Sequence, residues 1–324
     1  MIISEKEKLD VRTALQKSLE SFLDFSLSFD STGTNAETFH IFISHIHDLC
    51  RCIVNCEDAG MAEEEISEII KPAYLLHGKS PFINRLQTWP RGYPGDFETI
   101  EYILASRNMV SSPSIEYFCE EYALKCLASQ QHRNKTIYQS FKLMDAIFKN
   151  KNICAKILSV AANTCWDVRL IVDYIAARDF RLYINDSDSL ALKKAKENLK
   201  AIKDKCFYLK ENPLSLLKTL RDLGSFDLIM TGGLFDYLPD KCIVLLIKNF
   251  YEKFLNKDGS IVFTNIARGN PYRPWIQYLS NWKLIERSEQ EITALIQKAN
   301  IPLDAVNIKK EETGLTFIIE INKG

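Results

Sequence analysis

Residues 156–167 read Lys156-Ile157-Leu158-Ser159-Val160-Ala161-Ala162-Asn163-Thr164-Cys165-Trp166-Asp167. An apolar run ends in small and polar residues, and Val168, Ile171, Val172 and Ile175 then follow at helical spacing. That is the pattern of strand, turn and helix. Downstream the alternation repeats, with strands predicted over 180–185, 206–209, 226–231 and 260–265 and helices over 166–177, 188–198 and 240–255. Asp188 suits the N-cap of the second of these helices. Parallel strands need crossover connections, so the alternation predicts an α/β fold, a parallel sheet wrapped by helices. The ligand of such a sheet lies at the carboxyl ends of its strands. The tail changes character. A helix over 288–299 precedes strands over 304–310 and 315–321, and Glu311-Glu312-Thr313-Gly314 between them predicts an antiparallel hairpin.

Upstream of residue 150 the period is helical. Leu15, Leu19, Phe22 and Leu23 form one stripe, and Ile137, Phe141, Met144 and Ile147 another. Asn35-Ala36-Glu37 and Ser114 read as helix starts. Two domains are therefore expected, an all-helical one over 1–150 and the α/β one over 151–324.

Composition narrows the chemistry. The chain has 324 residues with 41 basic and 42 acidic side chains, a net charge of −1 that argues against a general nucleic-acid binder. Only 12 glycines occur, none between Gly95 and Gly224, and neither phosphate-cradling glycine motif is present. The charged start and the lack of a long apolar run lead to the expectation of a cytoplasmic protein without a membrane span. Nine cysteines, mostly in apolar contexts, are expected to be reduced. His45, His47, Cys50, Cys52 and Cys56 look metal-like. On a helix, however, His47/Cys50 and Cys52/Cys56 do not converge, so a core-facing helix and no metal is the reading.

Five parallel strands closed by a terminal hairpin resemble the Rossmann-like fold of class I S-adenosylmethionine-dependent methyltransferases. That resemblance implies S-adenosylmethionine as cofactor. The glycine-rich first turn of those proteins falls here on Ala161, Ala162 and Asn163. The cofactor carries no phosphate, so small residues suffice, and Asn163 tolerates a left-handed turn. Asp186 ends the second strand and suits the two ribose hydroxyls, with Ser187 beside it and Asp188 as the cap. Glu211 or Asn212, after the third strand, would accept from the adenine amine. Thr231 and Gly232, after the fourth, would lie beside the reactive methyl.

Two segments are more specific. They are Phe82-Ile83-Asn84-Arg85-Leu86-Gln87-Thr88-Trp89-Pro90-Arg91-Gly92-Tyr93-Pro94-Gly95-Asp96-Phe97-Glu98 and Phe226-Asp227-Leu228-Ile229-Met230-Thr231-Gly232-Gly233-Leu234-Phe235-Asp236-Tyr237-Leu238-Pro239-Asp240. With Asn265-Ile266-Ala267, Asn270-Pro271 and residues 282–287, they resemble bacterial methyltransferase-like proteins of extracellular factor (3-hydroxypalmitic acid methyl ester) biosynthesis. The resemblance spans roughly residues 70–324, with Asp258-Gly259 where relatives carry Pro-Gly-Gly. Gly92, Pro94 and Gly95 specify a shaped loop. It reads either as a lid or as a turn closed by an Arg91–Asp96 pair. As a lid, Arg91 would hold a carboxylate and Tyr93 would face the sulfonium. Asp236 and Tyr237 are candidates for orienting the acceptor or the methionyl amine, and Asn265 for bonding a substrate carbonyl or amine.

The function expected is methyl transfer to a small, apolar carboxylate- or hydroxyl-bearing acceptor, with the helical domain over 1–150 as lid and acceptor pocket and the domain over 151–324 as the cofactor-binding, catalytic one. In-line displacement at a sulfonium needs alignment and exclusion of water more than a metal or a covalent nucleophile. A carboxylate acceptor needs no base, whereas a hydroxyl or amine would use Asp236 or Tyr237. Two alternatives stand beside it. One is a cyclase or lyase releasing methylthioadenosine, of the azetidine-2-carboxylate type. The other is a cofactor-binding module without turnover. Oligomeric state is not readable from the sequence.

Overall fold

The computed structural model describes residues 5–28, 36–112, 114–149 and 154–324. It divides into two compact units, residues 1–129 with 271–283, and residues 130–270 with 284–324.

The first unit is helical. Its helices are α1 (Glu5–Leu27), α2 (Ala36–Asp58), α3 (Glu63–His77), α4 (Pro81–Thr88), α5 (Phe97–Ala105) and α6 (Ile115–Lys125). The stripe on α1 is buried through Leu15, Leu19 and Phe22. Ser80 caps α4, Asp96 caps α5 and Ser114 caps α6, each accepting a backbone N–H three residues on. The expected start at Asn35 lies outside the described residues. Cys50, Cys52 and Cys56 face the core of α2, where burial pushes the Cys50 thiol up to about 12. The His47 ring meets the Tyr122 hydroxyl at 3.2 Å. This is the core-facing helix expected of the segment. Residues 271–283 rejoin this unit. Arg273 pairs with Glu57, Tyr278 donates to Glu57 at 2.9 Å, and Gln87 donates to the Leu279 carbonyl at 2.8 Å.

The second unit opens with α7 (Leu127–Phe148). It continues with β1 (Ala155–Val160), α8 (Trp166–Arg169), α9 (Val172–Ile175), β2 (Phe180–Asp186), α10 (Ser189–Asn198), β3 (Cys206–Lys210) and α11 (Pro213–Leu223). It closes with β4 (Phe226–Thr231), α12 (Asp240–Asn249), β5 (Leu255–Ile266), α13 (Glu289–Lys298), β6 (Val306–Lys310) and β7 (Thr316–Asn322). The seven strands form one sheet in the order β3-β2-β1-β4-β5-β7-β6. Strands β1 to β5 pair in parallel, and β7 joins antiparallel between β5 and β6. This is a Rossmann-like parallel sheet closed by a terminal antiparallel hairpin, as expected.

Alternating residues of each strand feed two cores. Leu158, Ile229, Phe263 and Ile319 pack with α11, α12 and α13. Ile157, Leu182, Met230 and Ile318 pack with α7, α8, α9 and α10.

Two expectations change here. The boundary between units falls at residue 129/130, not near 150, because Leu143 and Ile147 of α7 are built into the core under the sheet. The Ile137–Phe141 stripe also does not face inward: Ile137 is 47% and Phe141 60% exposed. The inward face of the first half of α7 is polar instead, with Gln131, Lys135, Thr136, Gln139 and Ser140 all buried.

Candidate functional site

Every parallel strand of the second unit delivers its carboxyl end to one edge of the sheet. The turn after β1 takes a left-handed backbone at three non-glycine residues, Ala161 (φ 51), Asn163 (φ 50) and Cys165 (φ 56). For Ala and Cys this costs roughly 1–2 kcal/mol each. The positions alternate, so the turn takes at every second residue a backbone that glycine adopts most easily. Ala162 does not share that conformation, which corrects the expectation that 161, 162 and 163 are the three substituted sites. Hydrogen bonds hold the turn. The Ala162 amide donates to the Asn185 carbonyl at 2.9 Å and the Cys165 amide to the Ala162 carbonyl at 3.0 Å.

Asp186 closes the turn from β2. Its Oδ2 accepts the Asn163 amide and its Oδ1 the Asp188 amide, both at 2.9 Å. Burial raises its pKa, opposed by those backbone N–H groups. Each oxygen keeps a second lone pair, enough acceptor capacity for two hydroxyls. Asp188 caps α10 through Leu190, as expected, and Ser187 beside it is exposed.

The other predicted residues fall into place less evenly. Asn212 is the exposed N-cap of α11, its Oδ1 accepting from Leu214 at 2.9 Å, so its acceptor oxygen is already engaged. Glu211 accepts the Thr219 hydroxyl at 2.6 Å through one oxygen only. Asn265 is 1% exposed, and its amide donates to the Ile266 and Ile285 carbonyls while its Oδ1 accepts from Arg287. Both of its donors are used inside the fold, so it is a structural joint and not a substrate ligand.

At the end of β4, Thr231 is buried with its Oγ1 unpartnered. A Cβ at Gly232 would stand 2.2 Å from Gln139 Nε2, and one at Gly233 (φ 107) 3.3 Å from Lys135 Nζ. The paired glycines therefore admit α7 side chains, where the sequence suggested close approach of a ligand. Asp236 is buried in the short turn of residues 234–236, and its Oδ1 accepts the Ile266 amide at 2.7 Å. Burial pushes its carboxyl up to about 6, against the pull of Lys135, that amide and Arg287. Tyr237 is 37% exposed, hence no core residue.

Arg91, Tyr93 and Asp96 belong to the helical unit. Asp96 is 1% exposed, caps α5 through Thr99, and is paired with Arg85 at 2.7 Å. The partner in this loop is thus Arg85 and not Arg91, and Asp96 is removed from the catalytic candidates. The Arg91 guanidinium lies over the Phe97 ring at 4.9 Å, and Tyr93 is 38% exposed.

Sequence reasoning missed Lys135, Gln139 and Asp167. Lys135 and Gln139 lie on α7 and Asp167 lies on α8. Asp167 is buried behind the first turn, and burial raises its carboxyl to about 6. No three His, Cys, Asp or Glu side chains are grouped to hold a metal among the described residues. No described helix is long and apolar enough to cross a membrane.

No protein-family model and no curated protein matches the chain. Among solved structures it is similar to a possible exported protein from Bordetella parapertussis. That match has 13% identity and a TM-score of 0.56, over 98% of this chain and 96% of the other. It also matches magnesium protoporphyrin IX methyltransferase from Synechocystis PCC 6803 with bound SAH, at 5% identity and a TM-score of 0.46 over 61% and 88%. A third match is an N-methyltransferase from Bradyrhizobium japonicum WM9 in complex with S-adenosyl-L-homocysteine, at 15% identity and a TM-score of 0.39 over 57% and 86%. At these identities the likeness is one of fold.

Proposed function

We propose that the chain is an S-adenosylmethionine-dependent methyltransferase acting on a small acceptor. The observation that carries this reading is the turn after β1. Its three left-handed non-glycine residues are tied by the Asn163 amide to a buried Asp186 at the ligand edge of the sheet. Backbone strain of this kind gathers at functional sites. Asp186 would hold the ribose, with Ala161, Ala162 and Asn163 forming the floor. Glu211 would meet the adenine, and Thr231 Oγ1 supplies a buried polar atom still without a partner. When bound, the cofactor supplies an electrophilic methyl on a good leaving group.

The chain's own contribution is orientation and the exclusion of water. Asp236, with its carboxyl near 6, is able to take a proton from a hydroxyl or amine acceptor. The helical unit, with its loop over 91–96, is read as the acceptor-binding part. The resemblance of residues 82–98 and 226–240 to proteins of fatty-acid methyl ester synthesis supports an apolar carboxylate or hydroxyl acceptor.

Calorimetry with S-adenosylmethionine, followed by mass spectrometry of the products, tests the reading. S-adenosylhomocysteine formed only with an acceptor supports it. Methylthioadenosine formed without one replaces it by cyclisation or lysis. Failure to bind the cofactor removes both and leaves a non-catalytic role.

A further inference from the structure

Arg287 lies between β5 and α13, just before the Ser288 cap. It is 3% exposed. Its guanidinium has five N–H donors, and all five are used inside the second unit. Nη1 donates to the Phe235 carbonyl at 2.8 Å and to Asn265 Oδ1 at 2.7 Å. Nη2 donates to the Leu238 carbonyl at 2.7 Å and to Asp240 Oδ1 at 2.9 Å, and Nε reaches the same carboxylate oxygen at 3.1 Å. With every donor spent, the side chain acts on the protein and not on a ligand.

What it acts on is one turn. Phe235 and Leu238 flank Asp236 and Tyr237. The Ile285 amide donates to the Asp236 carbonyl at 2.8 Å, and the Ile266 amide to Asp236 Oδ1 at 2.7 Å. The Arg287 amide donates to the Ile266 carbonyl at 3.1 Å. Backbone and side chain of one residue thus tie the turn of residues 235–238 to the end of β5. A rigid planar fork can hold these acceptors in separate directions, whereas an ammonium offers its donors from a single point. The charge is placed as well. The carboxylate bonded to Arg287 is Asp240, whose side chain is 64% exposed, while Asp236 is buried. Arg287 and Lys135 of α7 are the cations that pull the Asp236 carboxyl down against its burial.

We propose that Arg287 is the positioning residue for Asp236, locking the turn after β4 so that Oδ1 stays on the Ile266 amide and Oδ2 alone is presented to an acceptor. This rests on the proton-accepting role given to Asp236 above. A carboxylate free to turn would offer either oxygen at no fixed angle, and alignment is what the proposed displacement needs.

The test compares Arg287→Gln and Arg287→Lys with the wild type on the full chain. Circular dichroism checks folding, carboxyl-carbon NMR follows the titration of Asp236, and amide hydrogen exchange follows Ile266. Arg287→Gln is expected to raise the Asp236 titration by about one pH unit and to quicken Ile266 exchange about tenfold. Arg287→Lys keeps the charge without the fork, so it should recover about half of the titration shift and little of the Ile266 protection. If neither variant folds, Asp240→Ala decides. It frees two donors at the exposed end of the fork and should quicken Ile266 exchange about threefold. Folded Arg287 variants in which Asp236 titrates and Ile266 exchanges as in the wild type overturn the inference, as does unchanged Ile266 exchange in Asp240→Ala. None of these readouts uses a cofactor. A wild type that binds no S-adenosylmethionine in calorimetry overturns the proposed function, and with it the presentation to an acceptor, whereas the titration shift reports the Arg287–Asp236 coupling by itself.

Discussion

The Asn163 amide donates to Asp186 Oδ2 at 2.9 Å, so the tip of β2 fixes the turn that follows β1. One carboxylate thereby ties together the carboxyl ends of both strands. Asp186→Ala is expected to lower S-adenosylmethionine affinity at least a hundredfold by calorimetry. It should also lower stability by about 1 kcal/mol, since two half-buried amides lose their acceptor. Unchanged affinity would show that the ribose role is wrong.

Ala161 and Ala162 are adjacent and chemically identical, yet only Ala161 is left-handed. Ala161→Gly relieves a strain of about 1–2 kcal/mol and adds a chain-entropy cost of about 0.5–1 kcal/mol. A small net stabilisation follows. Ala162→Gly carries only the cost. Urea denaturation of the two variants should therefore move the midpoint in opposite directions.

Gly232 sits under the Gln139 amide. In Gly232→Ala the methyl displaces a flexible side-chain end and not backbone, so stability changes by less than about 1 kcal/mol. Ligand affinity is expected to fall about tenfold, equivalent to about 1.4 kcal/mol. The double variant with Gln139→Ala should recover stability without recovering affinity, as read by calorimetry and thermal melting.

Burial raises the Asp167 carboxyl to about 6, with the Val168 amide and its own amide opposing. A raised carboxyl contributes stability that is fully present below its unfolded value near 4. That contribution is lost as pH rises through 6, because the unfolded state then releases the proton more readily. Asp167→Asn stays neutral at all pH. It should gain up to about 3 kcal/mol at pH 7.5 and nothing at pH 4. Denaturation curves at the two pH values check both the sign and the window.

In the helical unit, Arg85 holds Asp96 at 2.7 Å and Glu98 at 2.6 Å. Arg85→Ala leaves a buried carboxylate without its cation and is expected to cost about 3–5 kcal/mol. Arg91→Ala should cost less, since its guanidinium lies over a ring and not on Asp96. Thermal melts of the pair distinguish the two arginines.

The parallel sheet was legible because its strands are apolar on both faces and two of its helices begin at Asp188 and Ser288, each of which caps; the helix capped by Asn212 was not legible, because that residue reads as a loop ligand. Asp186 was legible as an acid ending the second strand, where its carboxylate accepts the Asn163 and Asp188 amides. Asp96 and Asn265 misled for a shared reason: polar residues at loop rims serve caps and joints as readily as ligands. Lys135 and Gln139 were hidden because helical periodicity assigns the polar face to water. On α7 the inward face is the polar one, and Ile137 and Phe141 are turned outward.

The return of residues 271–283 to the helical unit sets an order on synthesis. While the chain emerges from its amino end, Glu57 has neither Arg273 nor Tyr278, and Gln87 lacks the Leu279 carbonyl. The helical unit therefore waits, incomplete, until five of the sheet's seven strands have been made, although domains generally fold as units in the order of translation. A fragment ending at residue 150 would carry every one of α1 to α6 and still lack the segment that seals them.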